Sequence, residues 1–221
     1  HPPAHNQDHR HSRLFRRKGA SRGEQKRLPE EGFLLAVFGG SQGALALNEW
    51  VDRSYPDLMK QGIDIYCVRG LGKGIEGVIE EVDTNGSSRR FTTVGFCDSM
   101  HWVLSAADVA VSRAGAGSIA ELTRCALPSI LVPFPFAADD HQLANARFLE
   151  SQGGCVVLEQ ERIDSLLDEV KALRGSSSLR TKMRENLELA ADAERKEDMV
   201  ADLEKLAGER ISARKGKKRG S

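Results

Sequence analysis

The chain has 221 residues, with 40% hydrophobic and 29% charged side chains, which is ordinary for a globular protein with a real core. Its formal net charge of zero hides an asymmetry: residues 1–30 carry eight Lys/Arg against three acids, and residues 210–221 carry six Lys/Arg and no acid. The stretch 31–209 therefore holds 18 basic and 29 acidic residues, which argues against nucleic acid as a main ligand.

Residues 1–27 lack apolar periodicity and are rich in charge, His and Pro, so they read as a disordered basic tail or linker. Four of the six histidines fall there, without Cys partners or a folded frame to make a metal site. The chain begins with His rather than Met, as a fragment or a processed chain would. Cys67, Cys97, Cys125 and Cys155 form no Cys-x-x-Cys pair and sit in or beside apolar runs, so they read as free thiols of a reducing compartment. No apolar run reaches the length of a membrane span, and no signal-peptide pattern opens the chain.

From residue 33 a strand–helix alternation begins. The run "FLLAVF" (33–38) ends in "GGSQGA", and "LALNEWVDRSYPDLMKQG" then has helical spacing. Further strands are expected at 63–68, 90–96, 108–112, 128–134 and 155–159, with helices at 99–106, 116–126 and 140–152. From about 161 to 207 the pattern is helical. Continuous apolar strands separated by helices predict a parallel sheet covered on both faces, hence one doubly wound, Rossmann-like α/β domain over 28–207. Residues 208–221 read as a second basic tail.

Two Gly-rich turns stand out. Gly39-Gly40-Ser41-Gln42-Gly43 follows the first strand, where glycines let the backbone approach a ligand and Ser41 offers a hydroxyl to a phosphate oxygen. It is neither Gly-x-Gly-x-x-Gly nor a P-loop. The second turn, "SRAGAGSIAEL" (112–122), contains Gly115-x-Gly117-x-x-Ala120. That formal dinucleotide fingerprint follows the fourth strand, and no acidic residue ends the next one, which leaves a nicotinamide dehydrogenase as a minor alternative. In an open parallel sheet both turns lie at the carboxyl edge. There the N–H groups near Gly115–Ser118 would face a diphosphate, and Glu121, one turn on, could accept both hydroxyls of a ribose. Without the neighbouring glycines Glu121 would read as a solvated helix residue. In "VPFPFAADDHQLANA", Gln142 and Asn145 suit sugar hydroxyls. Asp139 and Asp140 either do the same or cap the helix, and His141 is either catalytic or ligand-positioning. No metal-ligand set and no cofactor motif appears.

Five ordered motifs, "GGSQGALALN", "GFCDSM", "ADVAVSRAGAGSIAEL", "LPSILVPFPFAADDHQLANA" and "GGCVVLEQ", resemble the C-terminal domain of the family 28 glycosyltransferases over about 28–207. The resemblance implies the donor-binding lobe of a two-lobed GT-B enzyme that moves N-acetylglucosamine from UDP-GlcNAc onto lipid I in peptidoglycan synthesis, peripheral on the inner face of the cell membrane. By position, Ser41 would contact the diphosphate and the Cys97 backbone would hold the uracil edge. Ala116, Gly117 and Ser118 would line the diphosphate, with Glu121 on the ribose. His141 and Gln142 would reach the GlcNAc hydroxyls, and Arg113 keeps the family's basic residue before the loop. The family's acceptor site, membrane-facing patch and general base belong to an amino-terminal lobe that residues 1–27 cannot supply. Two function classes follow: a transferase, present as a fragment or as one half of a split enzyme, or the alternative of a non-catalytic nucleotide-sugar-binding module or a subunit of a split UDP-sugar glycosyltransferase with another acceptor. The basic tails are expected either to add salt-sensitive affinity for anionic membrane surfaces or merely to solubilise.

Overall fold

The computed structural model describes residues 28, 32–39, 44–135, 141–193 and 195–196. Seven strands form one sheet: β1 (Phe33–Phe38), β2 (Ile63–Val68), β3 (Gly77–Val82), β4 (Ser88–Val94), β5 (Val109–Ser112), β6 (Ser129–Leu131) and β7 (Cys155–Val157). Their order is β3-β4-β2-β1-β5-β6-β7, parallel throughout except that β3 runs antiparallel to β4. The helices are α1 (Leu45–Lys60), α2 (Met100–Ala106), α3 (Ala116–Arg124), α4 (His141–Ser151) and α5 (Leu166–Gly175). A 3-10 turn covers Gln160–Ser165, and a last helix, α6, runs over 177–193.

Alternate residues of the central strands feed two separate cores, as the period of two in a strand requires. Leu35 and Val37 of β1 join Ile63, Ile65, Val109 and Ile130 beneath α1 and α5, with Trp50, Leu58 and Val170. Leu34 and Ala36 point the other way, joining Tyr66, Ala110 and Leu131 under α2, α3 and α4 through Leu104, Leu122 and Leu149. Helix α6 gives Met183 to the first core and Leu187 to the second. Burial on both faces explains why β1, β2 and β5 read as unbroken apolar runs, and the doubly wound expectation holds. No helix among the described residues is long and apolar enough to cross a membrane.

Three local expectations need correction. Strand β3, "GVIEEV", was not anticipated: it is an edge strand exposed on both faces, so nothing demanded an apolar pattern. Strand β6 stops at Leu131 rather than 134, because Pro133 and Pro135 have no N–H for a ladder. The helical stretch expected from 161 is divided into the 3-10 turn, α5 and α6, with extended Ser176 (φ −112°, ψ 92°) between the last two. Its continuation to 207 lies outside the described residues.

The amino edge of the sheet is closed by an ion-paired cluster. Asp64, buried at the start of β2, accepts the Arg90 N–H (2.8 Å) and Arg89 Nη1 (3.2 Å). Arg89 Nε donates to Asp83 (2.8 Å), whose other oxygen accepts the N–H groups of Asn85 and Ser87 in the β3–β4 turn. Gly32 turns in the left-handed region (φ 107°) against this cluster, and a Cβ there would collide with the Arg89 guanidinium. Across the sheet, Asp108 Oδ2 accepts the Leu34 N–H (2.8 Å).

Candidate functional site

The opposite edge is built differently. Strands β1 and β5 are neighbours, with Phe38 paired to Ser112, yet the helices that follow them leave to opposite faces, α1 to the first core and α3 to the second. The chain must therefore part between Gly39 and Arg113, and such a parting at the carboxyl ends of parallel strands is where open α/β sheets take ligands. The exits of β4 (Gly95–Ser99), β6 (Val132–Pro135) and β7 (Leu158–Gln160) lie on the same edge.

Helix α3 begins at this crevice. Gly115 is its N-cap, in extended conformation (φ −66°, ψ 146°), and no side chain caps the helix. The first intrahelical bond runs from Ile119 N–H to Gly115 O (3.0 Å), so the N–H groups of Ala116, Gly117 and Ser118 have no acceptor within the helix. No acid stands in the first turn to occupy its positive end. Neither Gly115 nor Gly117 adopts a left-handed φ, and a Cβ on either would meet open space. Glycine is thus required here neither by the backbone nor by packing against the described residues. It keeps the approach to three N–H groups clear. Ala116, Gly117 and Glu121 are exposed, and the Glu121 carboxylate makes no hydrogen bond or ion pair among the described residues.

Arg113 departs from expectation. Its guanidinium does not point into the crevice but lies buried behind it. Nη1 donates to the carbonyls of Val132 (3.0 Å) and Pro133 (3.1 Å), and Nη2 to Gln160 Oε1 (2.6 Å), with the ring of Phe134 5.3 Å away. Burial pushes its protonation below the ordinary arginine value. The Arg113 guanidinium is therefore engaged with the exits of β6 and β7. Gln142 is partly committed as well: its Oε1 accepts the Phe134 N–H (3.0 Å), which leaves its amide nitrogen for a ligand. His141 is exposed at the first position of α4. Cys97 sits half-buried in the loop after β4, its sulfur accepting the Tyr66 hydroxyl hydrogen at 3.9 Å. Gly39 directly follows β1, whereas Gly40, Ser41, Gly43, Asp139 and Asp140 lie outside the described residues.

The structure thus brings Gly115–Ser118 and Glu121 together on one helix end and sets Gln142 and His141 at the start of α4, across the β5–β6 exits. Sequence reasoning missed Gln160, Phe134 and Ser112, whose buried hydroxyl donates to the Arg113 carbonyl (2.9 Å). The pattern Pro-Phe-Pro was a usable signal, because a segment with so few N–H groups must be held by its carbonyls.

Residues 34–202 match the glycosyltransferase family 28 C-terminal domain. The chain is 50% identical over 173 residues to the UDP-N-acetylglucosamine–N-acetylmuramyl-(pentapeptide) pyrophosphoryl-undecaprenol N-acetylglucosamine transferase of Opitutus terrae, an alignment covering 78% of this chain and 46% of that protein. It is 39% identical over 183 residues to the transferase of the same name from Sorangium cellulosum, covering 81% and 45%. Among solved structures it resembles Acinetobacter baumannii MurG at 23% identity and a TM-score of 0.56, over 73% of this chain and 48% of that one, which shows the shared fold. The chain spans about half the length of the curated relatives it matches. It belongs to the glycosyltransferase family 28 C-terminal domain family.

Proposed function

We propose that this family 28 C-terminal domain is the donor-binding half of an inverting transferase that moves N-acetylglucosamine from UDP-GlcNAc to lipid I. The observation that carries the reading is the open end of α3, where among the described residues three N–H groups and the Glu121 carboxylate have no partner and no acid stands in the first turn. As the bond from the anomeric carbon to the diphosphate oxygen breaks, negative charge grows on UDP. N–H groups fixed in place at the positive end of a helix stabilise that charge without reorganising. The two oxygens of Glu121 fit the two ribose hydroxyls, which orients the nucleotide along the crevice.

The remaining contacts follow the same direction. Ser41 and the glycines around it meet the diphosphate from the β1 side, and the Cys97 backbone takes the uracil edge. His141 and the free amide nitrogen of Gln142 take the sugar hydroxyls. The acceptor hydroxyl and its general base must approach the anomeric carbon from the face opposite UDP, since inversion requires in-line attack. That wall is assigned to an amino-terminal lobe, with residues 28–207 forming the donor lobe and the basic segments 1–27 and 208–221 flanking it. The reading places the enzyme peripherally at the cytoplasmic face of the membrane, where it reaches a lipid-linked acceptor. Anionic lipid then attracts the basic tails in a salt-sensitive way.

Calorimetric titration with UDP, UDP-GlcNAc and UDP-glucose tests the donor site. Binding of UDP, with UDP-GlcNAc preferred over UDP-glucose, is expected, and no binding of any of the three overturns the reading. Radiolabelled GlcNAc incorporation into a lipid I analogue then separates a half-enzyme from a binding module. Transfer is expected only when an amino-terminal lobe is supplied, fused or in trans. Robust transfer by the chain alone would place the base within it, with His141 the first residue to replace.

A further inference from the structure

The segment Val132–Pro135 leaves β6 at the site edge and cannot hold itself in place. Within Pro133-Phe134-Pro135, Phe134 has the one backbone N–H, and that N–H is spent on Gln142 Oε1 at 3.0 Å. The Val132 N–H donates to the Ser112 carbonyl (2.8 Å), and the carbonyls of Val132 and Pro133 both accept from Nη1 of Arg113. Nη2 of the same guanidinium is held by Gln160 Oε1, 47 residues further along the chain, at the exit of β7. One buried side chain thus ties together the exits of β5, β6 and β7. Its three acceptors are neutral, so it sits in the interior with no carboxylate among them, an arrangement that costs desolvation and that apolar packing would make cheaper if fastening were its whole purpose. A guanidinium fork can span two carbonyls and an amide at once, whereas an ammonium cannot.

We infer that Arg113 and Gln160 are positioning residues for sugar recognition: they set the Pro133–Pro135 segment, which sets Gln142 and the first turn of α4. The inference rests on the donor-binding reading above and divides the site in two. The diphosphate end belongs to α3, whose N-cap and first turn share no hydrogen bond with Gln160 among the described residues. The sugar end depends on the clamp. Loosening the clamp at Gln160 therefore weakens recognition of the sugar and leaves UDP alone.

Gln160→Leu removes the acceptor at the β7 exit, and Gln160→Glu restores an acceptor oxygen and adds a counter-charge for Arg113. In calorimetry Gln160→Leu is expected to keep wild-type UDP affinity while its UDP-GlcNAc affinity falls about tenfold, as a small misplacement of positioning groups does. Its preference for UDP-GlcNAc over UDP-glucose should collapse, and Gln160→Glu should keep it. A readout independent of ligand is amide hydrogen exchange at Phe134, expected to quicken about tenfold in Gln160→Leu with the β1 amides unchanged. A folded Gln160→Leu protein that retains both the sugar preference and the slow Phe134 amide overturns the inference, as does parallel loss of UDP and UDP-GlcNAc affinity. Failure of the wild-type chain to bind UDP overturns the donor reading and this inference with it, and is recognised because it precedes any comparison of variants.

Discussion

The two edges of the sheet treat their polar groups in opposite ways. At the amino edge Asp64, Asp83, Arg89 and the turn N–H groups of Asn85, Ser87 and Arg90 satisfy one another, and Asp108 takes the Leu34 N–H. At the carboxyl edge three helix N–H groups and the Glu121 carboxylate find no partner among the described residues. Both edges are rich in charge and glycine in sequence, so composition alone does not separate them. What separates them is where the hydrogen bonds go. Groups that satisfy each other stabilise the fold, and groups held rigid but left open to water are available to something else.

The sharpest way to break this contrast is to cut the closed edge. Arg89→Ala leaves Asp64 buried with its charged partner gone and should cost about 3 kcal/mol of stability, read from urea unfolding, with UDP affinity of the folded fraction unchanged. Matching loss of UDP affinity would show the two edges to be coupled. Next in size, Glu121→Ala should weaken UDP binding by about 1.5–3 kcal/mol, as loss of hydrogen bonds to a charged group does, without lowering the melting temperature. Wild-type UDP affinity by calorimetry in a folded variant ends the ribose assignment.

A smaller test sets stability against binding at one atom. Gly117→Ala places a methyl in open space on an ordinary helical backbone, so it should raise stability by about 0.5–1 kcal/mol. The same methyl stands before the open N–H groups and should weaken UDP binding. A variant that is more stable and binds UDP equally well would show that the glycine is not keeping room for a ligand.

The smallest expected effect is in the pH dependence of stability, and its two parts have opposite sign. Asp83 is held below the ordinary carboxylate value of 3.8 by the Ser87 N–H and then by Arg89. The stability it gives is present above 3.8 and is lost as pH falls towards its lower folded value. Asp64 is pushed above 3.8 by burial, with the Arg90 N–H and Arg89 opposing. The folded protein then holds the Asp64 proton more tightly than the unfolded chain, and this contribution is lost as pH rises from 3.8 through the raised value. Urea midpoints measured down the acid limb should therefore fall less steeply in Asp83→Asn and more steeply in Asp64→Asn.

Most of the frame was legible in the sequence for one reason: strands buried on both faces have no choice but to be apolar. β1, β2 and β5 announced themselves so plainly because their environment leaves little freedom. Strand β3 was invisible because its edge position imposes no such demand, and two adjacent acids, Glu80 and Glu81, sit comfortably in it. The helix end at Gly115–Ser118 was legible too, since small residues between a strand and a helix have few explanations. Arg113 was not. A sequence shows that a guanidinium stands before the loop but not which way it turns, and the Gln160 that captures it is far along the chain.

The parting between β1 and β5 also bears on how the protein acquires its shape. Every other parallel neighbour in the sheet is reached by a single strand–helix–strand step or by the short β3–β4 hairpin, but Leu34 and Asp108, which meet across this seam, are 74 residues apart. Pairing at such separation is entropically costly and tends to come late, after the segments on either side have formed locally. The β2–β4 side and the β6–β7 side are thus natural candidates for separate cooperative units, joined last at the line where the crevice opens. A ligand lying across that line would act as a latch between them, raising the cost of their parting while leaving the opening of either unit by itself unchanged.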